Sequence, residues 1–228
     1  MISSLYSRQV LLIIFVGIII RLINIDMPLL EGAITRQLQT AETAYNFFSE
    51  GLNIFLPKLH VFPEPRYYIL EFPIYSGIVG LLFKIFGPHD FLGRLVSVFA
   101  FAGTVWFIWL ISSRRFNDSI GRAAAFIFSF LPLSIIFTRG FQPDPLALFF
   151  STAAFYFFSE FYSEREKWFG LACGFSALAF LSKQTYAFIL LPMCLFAFYR
   201  NGRRTLKNFR VYFLVVISLT PALLWTWH

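Results

Sequence analysis

Charge is scarce in this sequence. Only 14% of the 228 residues are Asp, Glu, Lys or Arg, whereas an ordinary soluble domain carries about a quarter. Too little charge is present to cover a water-exposed globular surface. Cysteine is almost missing too: Cys173 and Cys194 sit inside apolar runs without zinc or redox spacing, and both read as small core residues. His60, His89 and His228 are scattered, and without a second ligand at helical spacing they make no metal motif. Nucleotide-binding glycine motifs, internal repeats and low-complexity tracts are absent. The first apolar run has no small-residue cleavage site behind it and flows into Arg21 and Asp26, so it is expected to stay in place as a helix.

What fills the space is grease. Hydrophobic residues make up 58% of the chain and aromatics 21%, with 32 phenylalanines, and the mean hydropathy is +0.69. This balance predicts an all-α membrane protein, a polytopic bundle of about seven spanning helices. Runs near 9–25, 91–112, 119–138, 145–162, 167–182, 185–199 and 208–228 are the expected spans, since a crossing helix needs about 20 apolar residues. The two runs flanking Lys183 are short, as if they dip from a water-accessible notch. The segment 73–86, "PIYSGIVGLLFKIF", would reach only about 21 Å as a helix, short of the roughly 30 Å hydrocarbon core.

Loop charge decides how that segment is read. If 73–86 does not cross and the N-terminus is cytoplasmic, eleven of the 19 Lys and Arg fall inside and seven outside, with Arg21 in a span. If it crosses, "RNGRRTLKNFR" lies outside, against the positive-inside rule. Segment 73–86 is therefore expected to be interfacial or re-entrant. The net charge of +7 then reflects cytoplasmic loops, not a nucleic-acid partner. Residues 26–90 become one extracytoplasmic segment. Within it Leu38, Ala41, Tyr45, Phe48 and Leu52 recur at three- and four-residue steps, an apolar stripe expected to lie on the bilayer with the polar face toward water. Gly51 supplies a stop, and Pro57, Pro63, Pro65 and Pro73 predict an irregular loop after it.

Several ionisable residues gather on this outer side: Glu31, Glu71 and Asp144, with Arg36, Arg94, Arg139 and Lys183. Charges at a membrane boundary are costly to desolvate and tend to face a cavity or a partner; each alone also reads as a wetted loop residue. Arg21, inside the first span, either snorkels outward or reaches the same cavity. Glu42 and Glu50 belong to the polar face of the amphipathic helix that bears the apolar stripe and are expected to be solvated.

The order of several short motifs resembles the glycosyltransferase-C superfamily, in particular protein mannosyltransferases and aminoarabinose transferases that use lipid-linked sugars. "EGAITRQLQTA" at 31–41 is similar to a D-x-H-H-W-R-Q-x-D-T-A pattern of bacterial members, keeping Arg36, Gln37, Thr40 and Ala41. Glu31 stands where the pattern has Asp, and Ala33, Ile34 and Thr35 replace His-His-Trp. "EFPIY" at 71–75, "FGPHDFLGRLVSVF" at 86–99, "TRGFQPDPLALFF" at 138–150 and "ALAFLSKQTYAFILLP" also resemble family stretches. The resemblance implies one membrane module over 1–228, a C-terminally truncated piece, with juxtamembrane helices in 26–90. It implies a polyprenyl-phosphate sugar donor, a hydroxyl acceptor and an inverting transfer at the outer face of the cytoplasmic membrane. Glu31 would be the general base, with Asp144 the second catalytic carboxylate. Arg36, Gln37, Glu71, Arg94, Arg139 and Lys183 would bind substrate or phosphate. No cofactor is required, although Glu71 and Asp144 are also suited to a divalent cation. The rival reading is a transporter or channel with a charged outer vestibule, but the spans lack the paired, interrupted symmetry of that class.

Overall fold

A computed structural model describes residues 4–29, 34–68, 70–163 and 166–227. Among them are ten α-helices and no strand: α1 (Ser4–Leu22), α2 (Ile34–Ser49), α3 (Ile74–Phe86), α4 (Asp90–Arg115), α5 (Asp118–Phe130), α6 (Pro132–Arg139), α7 (Asp144–Phe161), α8 (Phe169–Ser182), α9 (Leu190–Asn201) and α10 (Phe209–Trp227). The chain forms two compact units. One comprises Met1–Ile69 with Pro73–Leu146, the other Leu70–Phe72 with Ala147–His228.

In the first unit, α4 is the long element. Its 26 residues are mostly apolar, with Asp90 in the first turn and Arg114 and Arg115 in the last, charges that complement the helix dipole. After Phe116, Asn117 caps α5 by accepting the Ile120 N–H at 2.9 Å. Helix α5 stops at Leu131 because Pro132 brings no N–H to continue the ladder, and α6 departs at 65°. The run expected as a single span over 119–138 is therefore two helices. Val10, Ile14, Phe101, Val105, Trp109 and Ala125 close the core between α1, α4 and α5.

Arginine contacts fix which ends meet. Arg94, near the start of α4, donates to the carbonyls of Ile25 and Pro28, and Arg139, the last residue of α6, donates to that of Asn24. The end of α1, the start of α4 and the end of α6 thus share one end of the bundle. The α4–α5 turn is at the other end, so α5 and α6 together run back along the whole of α4 as one bent passage.

Helix α3 stays at the shared end. Its Tyr75 hydroxyl donates to Gly93 O of α4, and its last residue, Phe86, is separated from α4 by only three residues. Both of its ends therefore lie near the first turns of α4. Gly80 lets α2 come close: a Cβ there would lie 2.9 Å from Phe47 Cβ and 3.2 Å from Ala44 O.

The faces of α2 are arranged differently from the expectation. Part of its polar face is covered by the protein: Gln37, Thr40, Thr43 and Asn46 are buried with Ala44 and Phe47, while Thr35 and Ser49 stay exposed. The apolar stripe points outward, with Leu38 48% and Tyr45 49% exposed. The buried polar atoms are matched inside the protein: Asn46 Nδ2 donates to Lys58 O, Thr43 Oγ1 meets the Tyr68 hydroxyl, and Ser76 Oγ donates to Thr40 O. An unmatched polar atom there would cost about 1–3 kcal/mol. Beyond the helix, Gly51 turns the chain at φ +110°. The proline-rich loop that follows is irregular as expected and is clasped to α2 by charge. Lys58 Nζ and Arg66 Nη2 both donate to Glu50, at 2.7 and 3.1 Å, and Glu42 accepts from the His60 backbone. Glu42 and Glu50 keep contact with solvent, as expected, and are also held by partners.

The second unit packs α7, α8, α9 and α10 around Ala154, Phe158, Ala172, Cys173, Met193, Ala197 and Leu214. Aromatic rings fill the gaps, as where Phe157 stacks on both Trp168 and Phe175. Helix α8 ends at Lys183, a 3-10 turn covers Gln184–Ile189, and α9 follows, so the two short expected runs are short helices of 14 and 12 residues. Among the described residues, α4 and α10 are each long and apolar enough to cross a membrane, and α5 with α6 makes a third crossing if the bent pair counts as one. The structure supports a helical membrane protein with these two or three spans of the seven expected.

Candidate functional site

Within the first unit, the best-built polar feature is the turn between α6 and α7, Gly140–Pro143, which leads directly into Asp144. Its backbone is gripped from three helices. Gln37 of α2 accepts the Phe141 N–H through Oε1 at 2.9 Å. Ser97 of α4 donates to Gly140 O at 2.6 Å, and the Tyr75 hydroxyl of α3 meets Ser97 Oγ at 2.9 Å. The Phe141 ring packs edge-on against Tyr75 with centroids 5.8 Å apart. It also lies against Gly93, where any Cβ would overlap the ring. Glycine is required there by space, not by backbone angle. Gln37, Tyr75, Ser97 and Phe141 are all buried, so the grip is shielded from water and each bond counts.

Asp144 opens α7. A carboxylate in the first turn of a helix sits where the unpaired N–H groups and the dipole favour negative charge, and Pro145 at the next position costs the helix no bond. Asp144 is half-buried, as is Arg36, the neighbour of Gln37 on α2. The bond between Gln37 and Phe141 therefore ties together "EGAITRQLQTA" and "TRGFQPDPLALFF", two of the stretches singled out in the sequence, across 104 residues.

Arg94 is placed otherwise. It is 1% exposed, and its Nη1 and Nη2 donate to Ile25 O at 2.9 Å and Pro28 O at 3.2 Å. The guanidinium thus fixes the turn behind α1, which Asn24 makes with φ +55°. Arg139 reaches the same turn at Asn24 O, 3.3 Å away. Glu31 lies outside the described residues; what is described is the anchored chain up to the buried Leu29, and α2 from Ile34 onward. In the second unit, Glu71 and Lys183 are half-buried neighbours in the backbone sense. The Phe72 N–H donates to Leu181 O at 3.2 Å, and the Phe72 ring packs edge-on against Trp225. Arg36, Gln37, Arg94, Arg139 and Asp144 thus belong to one unit, and Glu71 and Lys183 to the other.

Reasoning from sequence missed Tyr75, Gly93 and Ser97. All three lie in stretches with family resemblance, but a tyrosine, a glycine and a serine carry no charge to mark them. A concavity of about 690 Å³ opens beside α2, lined by Pro28, Leu29, Leu38, Ala41, Glu42, Tyr45, Phe83, Pro88 and Asp90. Leu38, Ala41 and Tyr45 of the outward apolar stripe form one side of its wall. Among the described residues, no group of three or more His, Cys, Asp or Glu is arranged to hold a metal ion.

Comparison with known proteins places this site in context. The chain is 29% identical over 145 residues to a protein of Aquifex aeolicus (strain VF5) described as uncharacterized, an alignment covering 64% of this chain and 33% of that protein. The chain spans about a third of the length of the curated relative it matches. No solved structure matches it significantly. The profile of the family described as "Dolichyl-phosphate-mannose-protein mannosyltransferase" matches residues 71–227, which include Tyr75, Gly93, Arg94, Ser97, Arg139, Asp144 and Lys183. The chain belongs to the dolichyl-phosphate-mannose-protein mannosyltransferase family.

Proposed function

We propose that this chain is the catalytic-side portion of a membrane glycosyltransferase that moves a sugar from a polyprenyl-phosphate donor to a hydroxyl acceptor on a lipid, glycan or protein. The observation that carries the proposal is the seat of the α6–α7 turn. Two distant stretches that resemble the family's acidic motifs are brought together by the Gln37–Phe141 bond, with Arg36 on one and Asp144 on the other.

Glu31 is the general base in this reading. It takes the proton of the acceptor hydroxyl as that oxygen attacks the anomeric carbon from the face opposite the phosphate. The new carbon–oxygen bond forms as the sugar–phosphate bond breaks, the configuration inverts, and the lipid phosphate leaves carrying the electron pair. Inverting glycosidases share the base and the geometry, with water in place of the alcohol. The leaving phosphate needs positive charge more than a proton. Arg36 supplies it, and Arg139 adds charge at the end of α6. Arg94, turned to the carbonyls of Ile25 and Pro28, holds the chain that leads to Glu31. Asp144 orients the acceptor. The site faces the extracytoplasmic side of the cytoplasmic membrane, with the N-terminus inside, because that orientation puts most of the arginine and lysine in the cytoplasm.

Purified full-length protein in nanodiscs, given a polyprenyl-phosphate sugar, tests this. Glu31→Gln is expected to lower transfer or donor hydrolysis by a factor of at least about 10², in the range of a lost general base, with folding intact. Asp144→Asn is expected to lower it less. Undiminished turnover in Glu31→Gln removes Glu31 from the mechanism.

A further inference from the structure

Arg21 is a full cation buried in the first helix, and the proposed chemistry does not use it. It is 0% exposed. It neither snorkels to the surface nor opens onto the α6–α7 turn; it fills the bend between α5 and α6. Nη1 donates to Ser129 O of α5 at 3.1 Å and to Gly17 O of its own helix at 3.0 Å. Across the bend, Nη2 donates to Ser134 Oγ at 3.1 Å and Nε to Thr138 Oγ1 at 2.6 Å, both on α6. The flat side of the guanidinium rests on the Phe101 ring, 3.4 Å from its centroid.

Each contact has a local reason. The helix break at Pro132 leaves carbonyls at the end of α5 without their ladder donors, and Ser129 O is one that Arg21 serves. Ser134 and Thr138, four residues apart, lie on one face of α6. Gly17 makes room for the ring: a Cβ there would be 2.8 Å from Phe101 Cζ. Only a planar group with five donors can serve α1, α5 and α6 at once while stacking on a ring; a lysine has three donors on one tetrahedral nitrogen and no flat face.

We infer that Arg21 is a positioning residue that pins the α5–α6 bend and thereby sets where α6 delivers Arg139 and the Gly140–Pro143 turn ahead of Asp144. The proline permits the bend; the arginine fixes its angle. The inference deepens the proposed function, because Asp144 is a candidate catalytic carboxylate, but its test uses no sugar transfer.

Spin labels at Ile120→Cys and Phe137→Cys, in a Cys173→Ser/Cys194→Ser background, report the distance across the bend by pulsed electron resonance. Hydrogen exchange at the Phe141 amide reports the seat of the turn. Arg21→Gln and Arg21→Lys are both expected to shift or broaden the distance distribution by several ångströms and to speed Phe141 exchange at least tenfold. Helical circular dichroism and monodisperse elution serve as the folding control. Phe101→Leu, which keeps the charge and removes the plate beneath it, is expected to move both readouts in the same direction by less. If Arg21→Gln lowers the yield of folded protein too far, Arg21→Lys and Phe101→Leu carry the test. Native distance and native exchange in the folded arginine variants would overturn the inference and assign the bend to Pro132 alone, as would a lysine that restores both. Loss of transfer in Glu31→Gln bears only on the proposed chemistry, so the two failures are distinguishable.

Discussion

Gly93 and Gln37 show how uncharged residues hold a charged one. The Phe141 ring lies where a side chain at Gly93 would have to go, and Gln37 supplies the acceptor that the buried Phe141 N–H needs. Gly93→Ala is therefore expected to push the ring out of its seat. Overpacking of this kind costs about 1–3 kcal/mol, to be read as a lowered midpoint of thermal unfolding in detergent, together with lost transfer. Gly80→Ala, which meets Phe47 Cβ and the Ala44 carbonyl, both fixed to the α2 backbone, is expected to push α2 away from α3 and, through Gln37, to speed exchange at the Phe141 amide as well. None of these residues stands out in the sequence. Asp144 does, because an acidic residue between two prolines before an apolar run is visible, but its supports are 47 to 107 positions away along the chain.

Elements carry the next level. The loop after α2 is clasped by Glu50, and its partners set the pH range over which the clasp holds. The Lys58 ammonium, donating to the Glu50 carboxylate and aided by Arg66, holds that carboxyl below the usual range. The same bond raises the Lys58 pKa above that of a free lysine. A lowered carboxyl pKa gives stability that is present above its unfolded value and lost as pH falls through the folded one; a raised lysine pKa gives stability lost only as pH rises through the folded value. Cleavage of residues 52–68 by a broad-specificity protease is thus expected to stay slow from neutral pH to the ordinary lysine range. It is expected to quicken in acid below the ordinary carboxylate range and again in strong alkali. Glu50→Gln should make cleavage faster at neutral pH and remove most of the acid dependence; a profile unchanged by Glu50→Gln would show that backbone contacts such as Asn46 to Lys58 O hold the loop instead. Exposed ion pairs are individually weak, so the readout is local opening, not global unfolding.

At the scale of the molecule, the orientation in the membrane rests on loop charge and on α3 remaining at one end of the bundle. In a background without Cys173 and Cys194, Asn53→Cys and Asn201→Cys are expected to react with a membrane-impermeant maleimide from opposite faces of sealed vesicles. Both positions are exposed, so reaction from the same face would mean that the number of crossings between them is wrong, and with it the side proposed for the transfer. The bent α5–α6 passage matters to that count. It returns the chain from the far end of α4 to the turn behind α1, as the Arg139–Asn24 contact requires.

Much of this was legible from composition and spacing, because those signals are local. Helix α3 covers 74–86 where 73–86 was expected, α4 covers 90–115 where 91–112 was expected, and Gly51 ends the α2 region. A proline, a glycine with positive φ or a long apolar run acts on the few residues around it, whatever the rest of the chain does. The inward face of α2 was different. Periodicity shows that a helix has two faces but not which one the protein covers, and here part of the polar face is inside because its acceptors and donors come from Lys58, Tyr68, Ser76 and Phe141. Arg21 makes the same point, since its partners on α5 and α6 lie more than a hundred residues on. Hydrogen bonds join atoms that are close in space, and closeness across such separations exists only once the helices have packed.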